Sequence, residues 1–294
     1  LMWDAIATKN ARLLNQGIVS LPDKLDRATW LNYVRCHDDI GLGFDNNDIA
    51  AVGYEPYAHR RFLVDYYTGT FDDSPARGQP FGRNEKTGDM RISGTLASLV
   101  GLETALESGD LEQIQRSIDQ ILLLHGLILS FGGIPLLSYG DEIGTVNHYS
   151  HLDDPTRARD NRWIHRPVYD WERIEQRHMR GSVEQRIFDG ISRLIAVRKT
   201  LPAFADFNNR ELIDVGNEHL FVFIRATLDS PEESVLAVAN FHDHPQQLDR
   251  ADLRHRGPFS LGPLQDAASG ESPALFKEQL VIPPHRFYWL VASA

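Results

Sequence analysis

Residues 33–41 read Tyr-Val-Arg-Cys-His-Asp-Asp-Ile-Gly, a β-like run that stops on an imidazole and two adjacent carboxylates. Residues 29–36 (TWLNYVRC) are short, aromatic and β-branched, which predicts a strand ending at His37. Charge gathered where a strand ends has three chemical readings. A thiol beside an imidazole, Cys36 and His37, suggests a nucleophile and its base. Neighbours on a strand point to opposite faces, so that pair does not meet, and Cys36 reads better as a buried structural thiol. His37-Asp38 is also the HD pair of metal-dependent phosphohydrolases. Such sites sit on helices and draw further ligands from neighbouring helices, and His59 and His125 lack ligand spacing here. In the third reading the carboxylates serve a polyhydroxylated substrate. Glycoside cleavage passes through an oxocarbenium-like transition state that nearby carboxylates stabilise, and sugar hydroxyls form charge-assisted hydrogen bonds with Asp, His and Arg. The bland alternative is that Asp38 and Asp39 only cap a turn.

Composition narrows the choice. The chain has 294 residues, 42% of them hydrophobic and 24% charged, which predicts one large domain and one small one. A formal net charge of -11 argues against a nucleic-acid groove or an anionic membrane as the main partner, because both need excess Lys and Arg. A neutral substrate fits better. Cys36 is the only cysteine, so no intrachain disulfide forms and cytoplasmic residence is the default expectation. No apolar run reaches the roughly 20 residues of a membrane span, and no basic-then-apolar leader opens the chain.

Residues 1–18 read as an amphipathic helix without a preceding cap, and such a helix needs a partner surface. This suggests a chain that begins in the middle of a larger protein. Residues 41–95 form a long polar excursion in which only 57–67 (YAHRRFLVDYY) reads as helical, and its aromatic content predicts an ordered lid. Apolar helices follow over 96–106 and 111–130. Residues 132–142 (GGIPLLSYGDE) read as a buried strand running into acidic residues, and Ile187, Ile191, Leu194, Ile195 and Val197 mark one more helix. Strand, helix, strand, helix, with acidic groups where each strand stops, is the grammar of a parallel β/α structure. From about residue 203 the pattern changes to short apolar strands (ELIDV, HLFVFIRA, SVLAVANF, FYWLV) between turns, as in an antiparallel sandwich.

Several separated motifs carry a resemblance. YVRCHDDIG resembles the seventh-strand HD motif of the (β/α)8 barrels of the α-amylase superfamily, and GGIPLLSYGDEIG resembles its eighth-strand motif. The doubled aspartate, the insertion ending in TGDMRISGT, and DNRWIHRP resemble the amylosucrases and sucrose hydrolases in particular. The resemblance implies an α/β fold: the C-terminal portion of a (β/α)8 TIM barrel over 1–202, with a long inserted loop over 41–95 after strand seven, then an all-β antiparallel sandwich over 203–294.

It also implies roles. Asp38 would be the third catalytic carboxylate, which stabilises the transition state, and His37 would bind hydroxyls of the glucosyl ring. Asp39, Arg91 and Arg162 would line the sucrose pocket, where a guanidinium can grip vicinal hydroxyls and a carboxylate at once. For Arg91 the alternative is a surface pair with Asp89, and for Arg162 one more solvated cation among Arg157, Arg159 and Arg166. Asp141 and Glu142 would be structural. The implied reaction is glucosyl transfer from sucrose to an α-glucan by a retaining double displacement, with sucrose hydrolase or another α-glucosidic hydrolase as the alternative. From a different class, a non-catalytic glucan-binding fragment also fits. The motifs of the nucleophile and acid/base match no stretch of the chain, so the N-terminal half of the barrel would be a required partner. Sucrose and α-glucan are the implied substrates; no cofactor, metal, nucleic acid or membrane is called for.

Overall fold

The computed structural model describes residues 1–294 apart from 23, 24, 26, 86–88, 228, 229, 255, 261 and 294. Two compact units interleave along the sequence. Residues 1, 33–121 and 137–189 form one, and residues 2–32, 122–136 and 190–294 form the other.

In the first unit the 41–95 excursion carries more regular structure than its polar sequence predicts. A short helix, Asn46–Ala51, starts at Asp45, whose carboxylate accepts from the Asn47 N–H at 2.7 Å. The helix Pro56–Tyr67 has Glu55 as its cap and proline at its first position, where the missing N–H costs nothing. Its aromatic face is self-packed: Phe62 meets Phe71 edge-on at 5.0 Å, and Tyr54 stacks on His59 at 4.3 Å. The strands Gln79–Phe81 and Arg91–Ser93 then pair antiparallel, with Pro80 opposite Ile92. Their shortness, three residues each, hid them from pattern reading. The helix expected over 96–106 is broken into Leu96–Leu99 and Leu102–Ser108. Gly101 between them sits at φ +88, and a Cβ there would lie 2.6 Å from Cβ of Pro75. The helix Leu111–Ser130 begins in this unit and ends in the other.

In the second unit the expected first helix is two, Met2–Thr8 and Arg12–Val19. Lys9 breaks it at φ +56, with its ammonium paired to Asp243, and the Asn10 side chain accepts from the Arg12 N–H at 2.8 Å. The strands Leu31–Tyr33 and Ile134–Leu136 pair as a two-stranded sheet, shorter than the runs 29–36 and 132–142 predict. The 132–142 run is also not a buried strand. The pleat turns Ile134 and Leu136 outward, where they are exposed, as are Leu31 and Tyr33.

The C-terminal part is wholly antiparallel. A five-stranded sheet runs in the order Arg210–Leu212, Leu220–Arg225, Val235–Asn240, Phe287–Ala292, Leu264–Asp266; a three-stranded sheet runs Ala274–Phe276, Gln279–Ile282, Gln246–Asp249. Alternation puts Leu220, Val222 and Ile224 into one core with Leu236, Val238, Leu248, Leu280 and Ile282. Each such side chain contributes about 1.5–3 kcal/mol by leaving water. Phe221 and Phe223, on the opposite face, meet Phe131 at 6.1 and 5.5 Å. No helix among the described residues is long and apolar enough to cross a membrane.

Candidate functional site

The chain beyond Tyr33 leaves its strand carrying Arg35, which is buried and forms an ion pair with Asp141 at 2.7 Å. Its guanidinium also donates to the Tyr139 carbonyl at 3.3 Å. Asp141 opens the short 3-10 turn Asp141–Ile143 between Gly140 and Gly144, both at positive φ. This pair anchors the HDD loop to the turn that follows Ile134–Leu136, and it gives Asp141 a structural partner. Glu142 accepts from the Tyr169 hydroxyl, whose pKa burial and that carboxylate push up to about 12.

Above the anchor, the HDD loop is clamped by the loop that carries DNRWIHRP. Asp38 Oδ1 accepts from Arg162 Nη1 at 3.3 Å and from Arg166 Nη2 at 3.0 Å. Arg162 is itself gripped bidentately by Asp160, at 2.9 Å to each oxygen, and its guanidinium lies 4.8 Å from the ring centre of Phe81. The Arg162 hydrogen bond holds the Asp160 carboxyl below the usual carboxylate range. Asp160 also caps the turn Asn161–His165, which fixes the stem of both cations.

Asp39 points elsewhere. Its side chain is buried and pairs with Arg91 at 3.2 Å, and the pair lies on the wall of a cleft of ≈ 640 Å³ that Arg60, Leu42 and Met90 also line. The next residue locks the loop down, because Ile40 and Ile92 exchange two backbone hydrogen bonds of 2.7 and 3.0 Å. Arg91 thus reaches Asp39 from the strand Arg91–Ser93 and is 61% exposed at its side chain. The stretch TGDMRISGT lies partly outside the described residues, at 87 and 88.

Of the five residues that the sequence singled out, the structure joins Asp38 to Arg162 and Asp39 to Arg91. His37 lies 3.5 Å from Asp38 Oδ2 with its ring three-quarters exposed. Cys36 is half-buried rather than buried as the sequence predicts, and its sulfur accepts from the Asp38 N–H at 3.4 Å, because the strand ends three residues before it. His59 is stacked on Tyr54. Among the described residues no three His, Cys, Asp or Glu side chains gather as a metal site.

Sequence reasoning missed Arg35, Asp160, His165 and Arg166. Arg35 alone had a signal, a charge inside an apolar strand that requires a carboxylate partner. Arg166, Asp38, Arg162 and Asp160 follow one another as an alternating run of ion pairs, and Asp39 with Arg91 forms a separate pair. The Asp38 carboxylate is oriented by two cations while half its surface stays open. Open edges of held carboxylates and guanidinium groups are hydrogen-bonding partners for a polyhydroxylated ligand.

No family model matches the chain. A trehalose synthase/amylase of Mycobacterium tuberculosis is 28% identical over 300 residues, which is 94% of this chain and 43% of that protein. A glucosylglycerate phosphorylase of Escherichia coli is 24% identical over 78% of this chain and 38% of its own length. The chain spans less than half the length of these curated relatives. Among solved structures, AmyP in complex with maltose superposes with a TM-score of 0.54 at 11% identity, covering 100% of this chain and 49% of that one. A sucrose 6F-phosphate phosphorylase of Thermoanaerobacter thermosaccharolyticum gives 0.54 at 17% identity, over 82% of this chain and 41% of that one. At such identities the likeness is one of fold.

Proposed function

We propose that the chain belongs to the α-amylase superfamily, a reading its likeness to a trehalose synthase/amylase and a glucosylglycerate phosphorylase supports, and that it forms part of a retaining α-glucoside-active enzyme of the amylosucrase kind. In this reading sucrose is attacked by a carboxylate nucleophile, fructose leaves, and the β-glucosyl intermediate passes to an α-glucan hydroxyl. Asp38 supplies negative potential to both oxocarbenium-like transition states. His37, Asp39, Arg91 and Arg162 bind sugar hydroxyls. In this reading the nucleophile and the acid/base come from an N-terminal barrel half that this chain does not supply, and that half is a partner in the reaction. Residues 1–202 then contribute barrel, and residues 203–294 the sandwich.

The observation that supports this reading best is the Asp38 carboxylate, fixed by Arg162 and Arg166 yet half exposed, next to the Asp39–Arg91 pair on a cleft wall. A residue that only capped a turn would spend its oxygens on backbone N–H groups; Asp38 spends one on two guanidinium groups from a loop 124 residues away. The outward apolar residues Leu31, Tyr33, Ile134 and Leu136 are the face that further barrel strands would cover. Incubation of the whole protein with sucrose and separation of fructose, glucose and glucan tests the proposal. Fructose with glucan supports transfer, fructose with equimolar glucose supports the hydrolase, and no fructose refutes both.

A second reading is favoured by the length of the trehalose synthase/amylase match, 94% of this chain. It keeps the same residues and roles but takes trehalose or maltose as the glucosyl donor. Including both disaccharides in the incubation separates the two readings.

A further inference from the structure

We propose that His165 is a positioning residue for Asp38: a neutral imidazole that, together with Arg166, holds the His37 carbonyl and so places the carboxylate that follows it. The kinetic part of this inference rests on the glucosyl-transfer reading above; the geometric part does not.

His165 is 2% exposed and uses both ring nitrogens. Nδ1 accepts from the Gly94 N–H at 3.0 Å, and Nε2 faces the His37 carbonyl oxygen at 3.1 Å. A nitrogen that accepts from an amide carries no proton, so the proton sits on Nε2 and is donated to His37. Two bonds of opposite sense thus select one neutral tautomer. The same carbonyl receives Arg166 Nε at 2.7 Å, and the other arm of that guanidinium, Nη2, reaches Asp38 Oδ1 at 3.0 Å.

The consequence follows from the planarity of the peptide unit. Fixing the His37 oxygen fixes the plane that ends at the Asp38 nitrogen and α-carbon. Among the described residues that N–H has the long 3.4 Å contact to the Cys36 sulfur as its partner, and the Asp38 side chain is 50% exposed. Without His165 the carbonyl keeps Arg166, whose other arm binds the Asp38 carboxylate itself, so the peptide plane loses a donor that does not move with that carboxylate. His165 itself touches Asp38 through neither nitrogen; it acts through the loop.

An imidazole suits this place better than a third cation. Arg35 and Arg166 face the ring and Asp39 is the nearby anion; burial, aided by the two guanidinium groups, lowers its pKa to about 4. A neutral ring adds a donor without adding repulsion. It also ties in the Arg91–Ser93 strand through Gly94, so one side chain links the loops that bear Asp38, Arg91 and Arg162.

The test compares H165Q, H165N and H165A in the whole protein with whichever α-glucoside the wild type turns over. Gln can place an amide N–H near the Nε2 position; Asn can place an acceptor near Nδ1 but cannot reach His37. Misplacement of a reacting group by about 1 Å costs up to about 100-fold. H165A is therefore expected to lower kcat by about 10- to 100-fold with KM changed less than about threefold, and H165Q to recover most of that loss while H165N does not. Wild-type kcat in folded H165A, or H165N outperforming H165Q, overturns the proposal. Nitrogen-15 NMR of labelled histidines in the wild type reads the tautomer without any substrate: a proton on Nε2 and a bare Nδ1 at neutral pH support it, and an imidazolium or the opposite tautomer overturns it. If the wild type acts on no α-glucoside, the transfer reading fails alone, and the NMR result still decides the role of His165.

Discussion

Arg35 and Asp141, 106 residues apart, form an ion pair at 2.7 Å in which the two side chains are 3% and 2% exposed. Removing one partner strands a buried charge, which costs about 3–5 kcal/mol, whereas replacing both by apolar residues of similar volume is often neutral. R35M and D141L are each expected to lose stability in that range by urea unfolding, and the double variant to recover most of it. Additive losses in the double variant would contradict the pairing. The pair anchors the HDD loop, so the single variants should also lose ligand binding in proportion to local disorder.

His165 makes stability depend on pH. Its pKa falls from 6.5 to about 4 on folding, so the unfolded chain takes up the proton first as pH drops. The contribution is complete above about pH 6.5 and is lost as pH falls toward 4, by up to about 3 kcal/mol. Urea midpoints measured between these limits should decline in the wild type and decline less in H165Q. Equal slopes would remove His165 as the source.

Arg225 is 1% exposed in the core of the second unit. Its guanidinium donates to the carbonyls of Ser130 and Asp206, and its Nε to Asn209 Oδ1 at 2.5 Å, while burial lowers its pKa to about 10. Ser130 is the last residue of the helix Leu111–Ser130, whose final carbonyls have no intrahelical donor. R225M fills similar space without donors and is expected to cost about 2–4 kcal/mol. Chemical denaturation checks it, with an unchanged midpoint as the contrary result.

Arg162 reaches Asp38 while Asp160 holds it from behind. R162A is expected to raise KM for the glucosyl donor about tenfold or more with a smaller change in kcat, because a charge-assisted contact of this kind is worth about 1.5–3 kcal/mol. Steady-state kinetics decide it, and wild-type KM would take Arg162 out of the site.

What the sequence disclosed followed from how local each signal was. The helix Leu111–Ser130 was legible from end to end because twenty residues of regular apolar spacing leave one reading. The first helix reads as continuous in sequence because its break depends on Lys9 meeting Asp243, 234 residues away. The strands Gln246–Asp249, Leu264–Asp266, Ala274–Phe276 and Gln279–Ile282 went unseen, since three or four residues make too little alternation to detect. In the site, His37, Asp38 and Asp39 were conspicuous as charge at the end of a strand, and Arg91 and Arg162 entered by resemblance. His165 and Arg166 were not legible. They lie in a loop without regular apolar spacing, and their partners Gly94 and His37 come from segments 71 and 128 or more residues distant.

Asp38 is proposed as a carboxylate that acts on the sugar rather than on the turn. Turnover of the α-glucoside donor by D38N, in the whole protein and with the unfolding midpoint measured alongside, is the most direct measurement. Asparagine preserves the shape and removes the charge, so a fall in kcat of about a thousandfold with stability kept is expected. Turnover within a few-fold of the wild type would contradict the account.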